Sequence, residues 1–199
     1  MEGATMSAPD EITTFWIKDV GPKGWYESSD ALDNTIRTRF MADWEAARGG
    51  SRDDWRDTPD GALAFLILTD QFPRNMFRGD ARSFATDPAA HACADHAIAR
   101  GLDMQIALPD RQFFYMPFMH SEAMADQDRC ISLMAERMAD TPGQGDTLHA
   151  RVHRAIIERF GRFPYRNDAL GRDTTDEERA FIENGGYTAL RKKFEAEGG

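Results

Sequence analysis

Thr58-Pro59-Asp60-Gly61-Ala62-Leu63-Ala64-Phe65-Leu66-Ile67-Leu68-Thr69-Asp70-Gln71-Phe72-Pro73-Arg74-Asn75 decides how this chain is read. Thr58 is a helix cap, and Pro59 takes the first helical position, where the N–H it lacks would have no partner anyway. From Ala62 to Leu68 every residue is apolar, so the helix has no solvated face and must be buried on several sides. It is far shorter than the roughly 18–20 apolar residues of a membrane span. Pro73 is expected to stop it. Asp70, Gln71, Arg74 and Asn75 then lie at the end of a central helix, close to the core.

The closing phrase recurs. Gly161-Arg162-Phe163-Pro164-Tyr165-Arg166-Asn167 again places an aromatic residue, a proline, an arginine and an asparagine in that order. Between the two copies stands Met119-His120-Ser121-Glu122, followed by Asp126 and Gln127. The pattern predicts two arginines held in matching poses around one polar centre. The copies are much farther apart than the roughly 34 residues of a standard helical repeat, so any internal repeat is degenerate.

Outward from these phrases, nearly every segment reads as helix. Ser7-Ala8-Pro9-Asp10 opens a short one through Phe15, Trp16 and Ile17, and Gly21-Pro22-Lys23-Gly24 breaks it. From about Asp30, Leu32, Ile36, Phe40 and Trp44 step by four along one face, until Gly49-Gly50. Asp87-Pro88 opens a helix ending at Gly101, and Leu108-Pro109 opens another through Phe113, Phe114 and Met116, kinked at Pro117. His120, Met124, Gln127, Ile131, Met134 and Met138 form one stripe by spacing. Pro142-Gly143-Gln144-Gly145 is a loop. His149, Val152, His153, Ile156, Phe160 and Phe163 share the inward face of the next helix. Thr174-Thr175-Asp176-Glu177 starts a last amphipathic helix with a capping box, broken by Gly185-Gly186 before a charged tail. No alternating, β-branched run occurs, so essentially no β-sheet is expected. The reading is all-α, stacked antiparallel helical hairpins with short Pro/Gly turns. No linker divides the chain, so residues 1–199 are expected to form a single domain. Trp25 and Trp55 are candidate exposed contacts for a dimer, though the oligomeric state stays open.

Composition narrows the function classes. Acidic residues number 34 against 24 basic, a formal charge of −10, which opposes binding to nucleic acid or to an anionic membrane surface. The two cysteines, Cys93 and Cys130, show no CxxC or Cys/His spacing and fit a reduced, cytoplasmic setting. Met1 to Phe15 lacks the basic start and apolar run of a signal peptide.

Three groups of residues can carry chemistry. His120, Gln127 and His153 are polar groups on inward faces, which must regain hydrogen bonds or cost roughly 1–3 kcal/mol each. They can orient a ligand or fix helix register. Arg74, Arg78, Arg162 and Arg166 offer planar forks that pair with a carboxylate or phosphate, from a ligand or from the protein itself. His149 and His153 stand one turn apart, but Ala150 follows His149 where a metalloprotease motif has glutamate. No metal and no cofactor is expected. Ser121 beside His120 and Glu122 is not a triad, because sequence neighbours on one turn do not face each other. No GxSxG, P-loop or GxGxxG motif is present.

The phrases Leu68–Gly79, Tyr115–Glu122 with Asp126-Gln127, and His153–Asn167 with Leu170-Gly171-Arg172 together resemble a bacterial family catalogued as domain of unknown function 924. The resemblance runs from about Phe15 to Ile182. It implies a fold similar to tetratricopeptide-repeat proteins and carries no activity. Coinciding with its phrases are Asp70, Gln71, Arg74, Asn75, Arg78, His120, Glu122, Gln127, His153, Glu158, Arg162, Arg166 and Asn167.

The leading expectation is a helical groove that binds a small anionic ligand or a protein segment. In it Arg74 and Arg162 grip the charge while His120 and Gln127 orient it. The alternative is a hydrolase or transferase with His120 or His153 as general base, Glu122 as its partner or as an acid, and arginines as stabilisers. A purely structural polar network is the third reading.

Overall fold

Thr58 caps as its type predicts: its Oγ1 accepts the Gly61 N–H at 3.2 Å, opening the helix Pro59–Leu66. Every residue from Gly61 to Asp70 is buried, which is what an apolar-all-round sequence requires. Gly61 is needed for a close approach, since a β-carbon there would collide with the Trp55 carbonyl oxygen and Thr58 Oγ1. The computed structural model describes residues 6–27, 29–139 and 147–197, and no strand occurs among them. The loop expected at Pro142–Gly145 lies outside the described residues.

The chain forms two compact units, Met1–Phe114 and Tyr115–Gly199. In the first, the Pro59–Leu66 helix is the centre, packed by Pro9–Thr13, the 3-10 turn Asp53–Asp57 and the helix Asp87–Ala99. The long helix Asp30–Arg48, capped by Ser29, brings Ile36, Phe40 and Trp44 inward as their spacing predicts. Leu32 is only half-buried, and the acid beside it, Asp33, is buried instead.

Pro73 does not stop the central helix. A π-helical turn, Ile67–Gln71, widens the coil and leads into a further helical turn, Phe72–Met76, with Pro73 in its first positions. Proline lacks the N–H that would reach the Thr69 carbonyl. That carbonyl accepts the Thr86 hydroxyl at 2.6 Å instead. The same widening gives the π-helix Thr14–Val20. Leu108-Pro109 likewise opens no α-helix; Asp110–Phe114 is a 3-10 turn. Trp25 and Trp55, expected at the surface, are both 8% exposed. The Trp25 indole donates to the Trp16 carbonyl at 2.8 Å and meets Phe113 edge-on, while Trp55 lies under the Arg52 guanidinium.

In the second unit, Met124–Arg137 packs on Leu148–Phe160, and the latter packs on Gly186–Ala196. The last of these replaces the expected charged tail: Tyr187, Leu190 and Phe194 close over a core of Leu148, Val152, Ile156, Ile157 and Phe163. His120 is not on the methionine stripe, because its helix starts only at Met124 and His120 follows the separate turn Met116–Met119. Gly161, at φ 69°, ends the Leu148–Phe160 helix in the left-handed conformation, ahead of the 3-10 turn Pro164–Arg166. A capping box forms, but between Thr175 and Glu178, one residue later than the phrase Thr174–Glu177 sets it. No helix among the described residues is long and apolar enough to cross a membrane.

Candidate functional site

The repeated phrase builds the same device in each unit. Asn75 donates its amide to Asp33 Oδ1 at 2.8 Å, and Arg78 takes both oxygens of that carboxylate. Asn167 donates its amide to Glu178 Oε2 at 3.2 Å, and Arg162 takes both oxygens of that carboxylate at 2.6 and 2.9 Å. Asp33 and Glu178 are both buried acids. Each phrase thus places an asparagine on a buried carboxylate from another helix, and an arginine within the phrase, Arg162, or three residues beyond it, Arg78, completes the clamp. Burial alone would raise the Asp33 pKa, but Arg78 and Asn75 outweigh it and hold the acid below its ordinary value. The Arg162 hydrogen bonds bring Glu178 down to about 2 against the opposing effect of burial.

Arg74 belongs to the first unit and Arg162 to the second. Arg74 bonds Asp70 and Asp87, both at 3.2 Å, and the Ser83 carbonyl at 2.9 Å. Gln71 donates to the other oxygen of Asp70 at 2.5 Å. These residues stitch the π-turn to the helix that follows.

The second unit gathers the remaining candidates. Gln127, fully buried, donates to the carbonyls of Met119 and Ser121 at 2.8 and 2.6 Å and holds the turn that carries His120. Ser121 Oγ donates to Asp126 at 2.6 Å and accepts the Ala123 N–H, so it shapes the entry to the next helix. Glu122 accepts the Phe163 N–H and both Arg172 nitrogens, all at 2.9 Å. Burial would raise its pKa, but Arg172 and the Phe163 N–H keep it below the usual carboxylate value. Arg166, 6% exposed, lies over the Phe163 ring and donates to the His120 carbonyl at 2.9 Å.

Around this scaffold stand the imidazoles. The His120 and His153 ring centres are 6.3 Å apart. His153 is half-buried against Phe163 and Tyr187, with ring centres at 5.5 and 5.1 Å. Its Nδ1 lies 2.7 Å from the His149 carbonyl. A carbonyl only accepts, so Nδ1 carries the proton and Nε2 the lone pair. Burial, reinforced by the charges of His120, His149 and Arg166, pushes the His153 pKa down to about 3. His149, expected to face inward, is exposed and hydrogen-bonded to the Tyr187 hydroxyl. Glu158 is also exposed, pairs with Arg154 at 3.2 Å and takes no part in the cluster.

Stability should report the His153 environment directly. Its folded pKa lies below the ordinary 6.5, so the unfolded chain binds the extra proton first. The stabilisation is complete above pH 6.5 and is lost as pH falls towards 3. Between pH 6.5 and 5, urea titrations should show stability falling by up to about 1.4 kcal/mol per pH unit. His153→Phe should flatten that slope by about one proton. Equal slopes would place the ring in water.

Sequence reasoning did not single out Asp33, Glu178, Arg172 or Tyr187 as partners. Asp33 carries a usable signal, since it stands three and seven residues before the inward Ile36 and Phe40. Glu178 stands at the third helical position that a capping box requires. Tyr187 gives none. Among the described residues, no group of three or more His, Cys, Asp or Glu side chains is placed to hold a metal ion. Cys93 and Cys130 are free and buried, and burial pushes both thiols up to about 12.

An all-helical protein with paired Asn/Arg clamps is therefore the class in hand. The chain belongs to the family described as bacterial protein of unknown function (DUF924), whose model matches residues 12–186. It is similar to a solved structure, the protein of unknown function ATU0120 from Agrobacterium tumefaciens, at 43% identity and a TM-score of 0.80. That likeness covers 88% of this chain and 97% of the other. No curated protein matches.

Proposed function

We propose that this protein is a binding domain that takes a small anionic ligand at His120, His153 and Arg166. One observation carries the reading: His153 is half-buried against Phe163 and Tyr187 and held in one tautomer by the His149 carbonyl. It offers a hydrogen-bond acceptor, Nε2, and the Arg166 cation lies over the same Phe163 ring that His153 packs against. A cation beside an acceptor suits an anion that keeps one O–H or N–H, such as hydrogen phosphate or a hydroxy acid. Arg74 and Arg162, already engaged by Asp70, Asp87 and Glu178, act as stitches in this reading rather than as the grip on the ligand.

The enzymatic alternative has less support. Glu122 is occupied by Arg172 and the Phe163 N–H, so it is a poor partner for a histidine base. A base works best with a pKa near the working pH, and about 3 is far below it. Calorimetric titration of the full chain with inorganic phosphate, lactate and acetate tests the proposal. The expected result is saturable binding of phosphate or lactate that weakens about tenfold or more in His153→Phe, about 1.4 kcal/mol. Binding of equal strength in His153→Phe and in His120→Ala, or none at all, would remove the assignment.

A further inference from the structure

The first unit contains a cleft of about 500 Å³ whose lining includes Asn75, which closes the first phrase, and Arg78 just beyond it. Six charged side chains face it: Asp30, Asp33 and Asp80, and Arg37, Arg78 and Arg82. Four of the six are matched with one another. Arg78 takes Asp33, and Arg82 takes Asp80, with its guanidinium also over Phe77 at 4.5 Å.

Arg37 is held differently. Its Nε and Nη2 both donate to the Met76 carbonyl, at 3.2 and 2.7 Å. That anchor is neutral, so it fixes the guanidinium without cancelling its charge. Three of its five N–H groups remain, two of them on Nη1. Asp33 feels the Arg37 charge through space, but its oxygens are bonded to Arg78 and Asn75. Asp30 is the mirror case: it acts on Arg78 through space and has no ion pair among the described residues. It stands seven residues before Arg37 on the helix Asp30–Arg48, two turns away on the same side, or about 10 Å along the axis. Met41 and Phe77 supply apolar lining to the same cleft.

We infer that this cleft binds a small zwitterion of the amino-acid class, its carboxylate on Arg37 and its ammonium on Asp30. A guanidinium fixed by a carbonyl is preorganised for a carboxylate, because its ordering precedes binding. A simple anion would leave Asp30 unmatched, and a simple cation would leave Arg37 unmatched. The zwitterion satisfies both, and its carbon chain lies against Met41 and Phe77. The site belongs to the first unit and does not depend on the histidine cluster.

The test is an NMR titration of the full-length protein labelled at arginine side chains, following the Arg37 Nε–H signal. The probes are L-alanine, γ-aminobutyrate, acetate and butylammonium. Saturable shifts with alanine or γ-aminobutyrate are expected, with acetate and butylammonium each at least about tenfold weaker. Asp30→Asn, a change at an exposed residue, should weaken the zwitterion about tenfold and leave acetate unchanged. Arg37→Gln should abolish the response of the remaining signals. Acetate binding as strongly as the zwitterions, or no saturable shift up to about 50 mM, would overturn the inference.

Discussion

Phe72→Ala is expected to destabilise the first unit by about 3–5 kcal/mol. Phe72 is completely buried, with ring centres 4.9 Å from Phe40, 5.5 Å from Trp16 and 6.0 Å from Phe15. Truncation loses the transfer energy of the ring and leaves a cavity among three aromatic neighbours that belong to two other helical segments. Urea unfolding should show the loss, and the melting temperature should fall by on the order of 10 °C. Hydrogen exchange should show the first unit opening more readily. A loss below about 1 kcal/mol would mean that the neighbours collapse into the space and that the phrase is not anchored by its aromatic residue.

The second large effect is expected in the other unit. Glu178→Ala removes a buried carboxylate that accepts from Arg162 Nε and Nη2, Asn167 Nδ2 and the Thr175 N–H. Asn167 is itself fully buried and loses one of the two acceptors of its amide, keeping only Thr174 Oγ1 at 3.3 Å. Breaking a buried pair on one side costs about 3–5 kcal/mol, and the capping box is lost with it. Glu178→Gln keeps one acceptor and the side-chain volume and should lose less. The pH dependence has a defined sign. With a folded pKa of about 2 against an ordinary 4.5, the stabilisation is present above pH 4.5 and is lost as pH falls towards 2. Circular dichroism melts between pH 6 and 2.5 should therefore converge for wild type and Glu178→Gln at the acid end. Parallel curves throughout would show that the charge of Glu178 does not matter.

These two effects share an origin. Each repeated phrase contributes an aromatic residue to a core and an asparagine to a clamp, and the arginine that completes each clamp lies at or just beyond the phrase. The order of residue types was legible in the chain, and so was their arrival at helix ends. Their partners were not. Asp33 lies 42 residues before Asn75 and Glu178 lies 11 after Asn167, and neither spacing falls within a single helix. The expectation that the arginines of the two phrases occupy matching poses treated sequence order as geometry. The closer counterparts are Asn75 and Asn167, each on a buried acid.

The helix at Ala62–Leu68, the Thr58 cap, the face carried by Ile36, Phe40 and Trp44, and the all-helical class follow from the sequence alone. Such features depend on residues within about one turn of each other, or on a period that any reader of the chain can count. Only the tertiary structure decided the rest. The π-turn before Pro73 depends on the Thr86 hydroxyl to donate to its Thr69 carbonyl, and the burial of Trp25 depends on Phe113. Which histidine faces inward depends on Tyr187 in a later helix, and the charge left unmatched on Arg37 depends on the Met76 carbonyl. Each is a contact between segments distant in sequence, and its energy is set by desolvation and by the geometry of both partners, which local sequence does not encode.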